Sequence, residues 1–92
     1  MTLKTKKIER NLRKKGFVID YGDHIFFEFI YNNNKTNVRT KISHSHSEIG
    51  DDLISKMSMQ LRMDKDFFKK FVECTKTESD YIQMLKDKGV IK

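Results

Sequence analysis

Ninety-two residues suffice for one domain with a single thin core and are too few for two independent cores. A hydrophobic fraction of 37% beside a charged fraction of 35% fits an ordinary soluble domain, and no apolar run approaches the roughly 20 residues that cross a bilayer. The net charge of +6 is concentrated: residues 1–15 hold Lys4, Lys6, Lys7, Arg10, Arg13, Lys14 and Lys15 against the single acid Glu9, and the rest of the chain is balanced.

An imbalance confined to one segment is an electrostatic footprint for a polyanion. Nucleic acid is the leading partner, an acidic protein the alternative, and a solvated lysine-rich face the plainest explanation. The first lysines are not followed by an apolar stretch, so no secretory signal and no membrane partner are expected, and a cytoplasmic location follows by default. The one cysteine, Cys74, has no internal disulfide partner and falls in an apolar helical pattern, which reads as a packing position.

The chain opens with a short amphipathic helix over 5–15. Ile8 and Leu12 lie one turn apart on one face, Thr5 is placed to cap the start, and Gly16 supplies a left-handed position at the end. Phe17, Val18 and Ile19 form a short apolar run, and Tyr21-Gly22-Asp23 reads as a tight turn. In 24–31, Ile25, Phe27, Phe29 and Tyr31 alternate with His24, Phe26, Glu28 and Ile30, the clearest strand in the chain. Asn32-Asn33-Asn34-Lys35 is a hairpin signal, and 36–43 follows as a β-branched strand with Val38, Thr40 and Ile42 on one face.

The period then changes. Ser45 and Glu48 have capping-box spacing, with Ser47 as a competing cap, and Ile49, Leu53, Met57 and Leu61 recur every four residues, predicting a helix over 48–62. Asp64 can cap a helix containing Phe67, Phe68, Phe71 and Val72, while Thr77 with Asp80 opens another that Gly89 ends. The expected class is α+β: helix, three-stranded antiparallel meander, helix, and two short C-terminal helices, all in one domain over 1–92. The first two helices are expected to cover one sheet face, which leaves Phe26 and Ile30 on the other either for the late pair to wrap round onto, the favoured reading, or as a contact surface.

Chemistry is sparse. One cysteine and three histidines do not make a closed zinc site, and there is no glycine-rich phosphate loop, so neither metal nor cofactor is expected. Asp51 and Asp52 at a helix start are explained by the macrodipole. His24, His44 and His46 remain, and their relative placement stays open at this level. A histidine titrating near neutrality suits RNA cleavage, since it can take the proton of a 2′-hydroxyl that then attacks the adjacent phosphate. A histidine opening a strand is more often structural.

Two segments carry a resemblance. Ile8-Glu9-Arg10-Asn11-Leu12-Arg13-Lys14-Lys15-Gly16-Phe17 followed by Gly22-Asp23-His24-Ile25-Phe26-Phe27 resembles the HicA family of toxin ribonucleases, and Lys41-Ile42-Ser43-His44 with Glu48-Ile49 fits that family's later part. The likeness spans 5–62, leaving 63–92 as a helical extension. It departs where Asp23 stands for a serine and Ser43 for a proline. The resemblance implies a double-stranded-RNA-binding-domain-like fold and metal-independent mRNA cleavage with His24 as general base, His44 assisting. It also implies an antitoxin-like protein partner. Lys6, Lys7, Arg10, Arg13, Lys14 and Lys15 are the candidate phosphate contacts. Two alternatives stand beside it. One is a non-catalytic nucleic-acid-binding module. The other is a small phage or mobile-element module that binds protein through Phe26, Met57, Met59 and Met63. Oligomeric state is not fixed by the sequence.

Overall fold

The alternation of Ile25, Phe27 and Phe29 with Phe26, Glu28 and Ile30 gives the middle strand one buried face and one open face. The structure, a computed structural model, describes residues 2–73 and 75–91, so the packing role expected of Cys74 lies outside the described residues. In chain order the elements are β1 (Leu3–Lys4), α1 (Thr5–Arg13), β2 (Phe17–Tyr21), β3 (Ile25–Tyr31), β4 (Asn34–Ile42) and β5 (Glu48–Ile49). Three helices follow: α2 (Asp51–Gln60), α3 (Lys65–Val72) and α4 (Glu78–Asp87).

Strands β2, β3 and β4 form an antiparallel sheet in that order, with Tyr21 opposite Ile25 and Ile25 opposite Ile42. Asn32 and Asn33 both take positive φ, 53° and 62°, the geometry that lets a two-residue loop follow the strand twist. A register irregularity falls between Glu28 and Ile30, where the Thr36 hydroxyl donates to the Phe29 carbonyl at 2.7 Å.

The helix ends follow local chemistry only in part. Asp64 accepts from the Phe67 N–H at 2.7 Å, and Thr77 with Asp80 forms a full capping box, both as the sequence predicts. Thr5 does not cap α1. It is the first helical residue, and its hydroxyl donates to the His46 carbonyl at 2.8 Å while its N–H donates to the Ser47 carbonyl at 3.0 Å. The expected capping box at Ser45 and Glu48 is likewise absent. Glu48 and Ile49 form β5, which pairs with β1 and buries Ile49 against Leu3, so α2 begins only at Asp51 with Gly50 as its N-cap.

All four helices lie on one side of the three-stranded sheet. Helix α1 packs on β2, α2 packs on β4, and α3 touches both helices. Tyr81 of α4 enters the same core, its ring 4.9 Å from Phe29, 5.1 Å from Phe71 and 5.8 Å from Phe17. The late helices therefore do not wrap onto the other face. Helix α1 is short and sends mainly Ile8 and Leu12 inward, which leaves the rings of Phe17 and Phe29 for Phe71 and Tyr81 to cover. Each such ring pair adds about 0.5–1.5 kcal/mol to the burial itself. The opposite face stays open, with Val18 at 58% and Phe26 at 37% exposure.

The chain is thus a small α+β domain with a three-stranded antiparallel sheet and four helices, two more than an α-β-β-β-α core contains. Among the described residues no helix is long and apolar enough to cross a membrane.

Candidate nucleic-acid interface

The basic helix is divided by its own periodicity. Residues four apart share a face, and Lys7, Asn11 and Lys15 form a stripe turned toward the C-terminal end of α3. Lys7 Nζ stands 2.6 Å from Glu73 Oε2, Asn11 Nδ2 donates to the Val72 carbonyl at 2.6 Å, and Lys15 Nζ donates to the Phe71 carbonyl. A helix C-terminus presents carbonyls without intrahelical partners and the negative end of the dipole, so amides and ammonium groups are favoured there. Lys15 is buried in this contact and is not a surface cation, which corrects its place among the phosphate contacts. Lys7 is half-buried and ion-paired.

The next stripe round the helix faces outward. Lys6, Arg10 and Lys14 recur every four residues and are exposed, and Arg13 lies beside them. Arg13 Nη2 donates to the Tyr21 hydroxyl at 2.8 Å, and that hydroxyl donates to Glu9 Oε1 at 2.6 Å. The Glu9 carboxylate, with a smaller contribution from desolvation, raises the Tyr21 pKa, and Arg13 opposes it. Tyr21 therefore stays a phenol that fixes Glu9 and Arg13 one turn apart at the end of β2. Neither Glu9 nor Tyr21 was singled out from sequence. The only available signal was the i,i+4 spacing of Glu9 and Arg13.

The histidines gather at the same end of the sheet but on different surfaces. His24, in the turn after Tyr21, is half-buried with its ring edge-on to Phe26, centroids 6.2 Å apart. Phe26 belongs to the open face, whereas α1 covers the other. His44 is exposed, and its Nε2 is hydrogen-bonded to the Gly22 carbonyl at 2.8 Å. A carbonyl only accepts, so Nε2 carries a proton, and in the neutral imidazole Nδ1 is then the acceptor. That bond joins the loop bearing His44 to the loop bearing His24. A cleft of about 350 Å³ lies between the start of α1 and the 43–47 loop, lined by Lys4, Lys6, Glu9, His44 and His46. The structure thus brings His44 and His46, and not His24, to Lys4 and Lys6.

Other candidate groups have structural occupations. Asp51 stands 3.8 Å from the ammonium groups of Lys65 and Lys69, and Lys65 chiefly holds its pKa below the ordinary carboxylate value. Met57 and Met63 are buried in the core, so only Met59, 69% exposed, remains of the methionine surface. Among the described residues no three His, Cys, Asp or Glu side chains converge as metal ligands would.

No protein-family model matches this chain, and no curated protein or solved structure is significantly similar to it.

Proposed function

We propose that this chain is an RNA-binding protein of the HicA-like kind, with Lys6, Arg10, Arg13 and Lys14 holding phosphates. On this reading the double-stranded-RNA-binding-domain-like arrangement is the core over 5–62, and mRNA is cut without a metal ion. One imidazole, His24 in the family likeness, takes the proton of a 2′-hydroxyl. The 2′-oxygen bonds to the adjacent phosphorus, the bond to the 5′-oxygen breaks, and a cyclic phosphate forms as the leaving oxygen gains a proton. His44, with Nε2 donated to Gly22 and Nδ1 available, is suited to assist. A toxin of this type is held silent by an antitoxin-like protein partner.

The observation that carries the reading is the His44–Gly22 hydrogen bond, because it ties the loop bearing His24 to the loop whose His44 and His46 share a cleft with Lys4 and Lys6. The test is expression in cells of the wild type, His24→Ala and His44→Ala. Arrested growth with fragmented mRNA for the wild type, relieved in either variant, is expected. Equal growth and intact mRNA for all three removes the catalytic claim.

A second reading, a non-catalytic nucleic-acid-binding module, is favoured by the half-buried packing of His24 on Phe26 and by the acid Asp23 beside it. It requires duplex RNA or DNA binding that weakens steeply with salt, unchanged by His24→Ala.

A further inference from the structure

A second cleft, of about 670 Å³, runs along β4 and shares no lining residue with the histidine cleft. Arg39 and Lys41 project from one face of β4, about 7 Å apart by the strand rise. This spacing is comparable to that of successive phosphates in an extended single strand. Phe26, the cross-strand partner of Lys41, offers an exposed ring beside them. Gln60 has its Oε1 occupied by the Thr40 hydroxyl at 2.5 Å, which leaves its amide hydrogens as donors. Arg62 adds a third cation from the end of α2, and among the described residues no carboxylate lines the cleft. Of the acids of the open face, Glu28 is the cross-strand partner of Arg39 and Asp20 that of Phe26, so Lys41 and Arg62 are the cations without an acid opposite them on the sheet.

Arg62 also has an unusual backbone. Its φ is +66°, a left-handed conformation that costs an L-residue with a Cβ and that helices normally assign to glycine. The bonds from Met63 N–H to the Ser58 carbonyl and from Arg62 N–H to the Met59 carbonyl define that helix-ending turn. Helix α4 fixes it from the other side: the Tyr81 hydroxyl donates to the Leu61 carbonyl at 2.8 Å and Lys88 Nζ to the Arg62 carbonyl at 2.7 Å. A strained position that its surroundings over-determine points to a use for the side chain.

We propose that this cleft is a binding groove for single-stranded nucleic acid. A base stacks on Phe26, phosphates lie against Arg39, Lys41 and Arg62, and the Gln60 amide donates to a base edge. An exposed aromatic among cations and amides fits a stacked base better than an acidic peptide, which has no planar group to lay on the ring. The groove uses no histidine and no cation of α1, so it does not rest on the function proposed above.

The test is fluorescence anisotropy at low salt with the full chain and three labelled probes: a uridine-rich RNA octamer, an RNA duplex and an oligoglutamate peptide. Arg62→Gly relieves the backbone and is expected to leave the melting temperature unchanged or higher. It should weaken octamer binding about tenfold and lower the salt slope by about one. Phe26→Leu, which keeps the apolar contact but not the stack, is expected to weaken the octamer similarly, and duplex binding is unaffected by either change. Octamer affinity unchanged in Arg62→Gly overturns the proposal. So does tighter binding of the peptide than of the octamer with the same dependence on Arg62.

Discussion

The ammonium group of Lys15 stands 4.7 Å from the centre of the Phe71 ring and donates to the carbonyl of that same residue. One contact thus anchors the end of the basic helix to the last turn of α3. Lys15→Ala leaves a buried carbonyl without its charged donor, at a cost of about 1.5–3 kcal/mol. Lys14→Ala, one residue away and exposed, is expected to change stability by less than about 0.5 kcal/mol. Urea denaturation of the two variants separates them, and RNA binding should separate them the other way, with Lys14→Ala the weaker binder.

Gly16 is required twice over. Its φ is +93°, and an added Cβ would lie 2.7 Å from Glu78 Oε2 and 2.9 Å from Phe29 Cε1. The glutamate is the flexible end of a side chain, but the Phe29 ring is packed in the core and cannot retreat. Gly16→Ala is expected to cost about 2–4 kcal/mol, the sum of a left-handed penalty and overpacking. A thermal melt within a degree of the wild type would contradict this.

Tyr81 is fully buried, and desolvation pushes its phenol pKa far upward, so it acts as a neutral donor to the Leu61 carbonyl. Tyr81→Phe keeps the ring cluster and removes only that bond, at about 1–3 kcal/mol. The same substitution loosens the turn that holds Arg62, so broadened amide resonances at 61–63 are expected in the variant.

Asp80 accepts from the Thr77 N–H at 2.9 Å and from its hydroxyl at 3.1 Å, and these bonds, the backbone one first, hold its pKa below the ordinary carboxylate value. Because the folded pKa is the lower one, the unfolded chain takes up the proton first as pH falls. The contribution is complete above the unfolded value of about 3.9 and disappears as pH drops through the folded value. Asp80→Asn is expected to flatten the stability profile in that acid window and leave its shape at neutral pH unchanged. Urea midpoints measured across the window check it.

Much of the fold can be read from local pattern. The alternation through Phe27 and Phe29, the two asparagines of the hairpin and the caps at Asp64 and Thr77 all depend on residues close in sequence. The ribbon of β1 and β5 does not, because two-residue strands have no period to detect and Leu3 meets Ile49 only in three dimensions. The division of the basic helix was hidden for a related reason. In sequence, Lys7-Asn11-Lys15 and Lys6-Arg10-Lys14 are equivalent i,i+4 stripes. Only the C-terminus of α3, sixty residues away, distinguishes the inward one. Arg62 was invisible as well, since nothing local announces an arginine where a helix usually ends on glycine.

The small ribbon has a consequence for the order of assembly. Closing a loop of nearly half the chain costs entropy and two rungs return little, so Leu3 and Ile49 are expected to join after the sheet and α2 have formed. They are also expected to part first, which amide exchange faster at β1 and β5 than at Phe27 would show. Since the same ribbon presses the His44–His46 loop onto α1 through Thr5, a nascent or partly opened chain carries its cations before it carries the cleft. The basic surface of α1 and the cleft that His44 and His46 line are therefore separable in time.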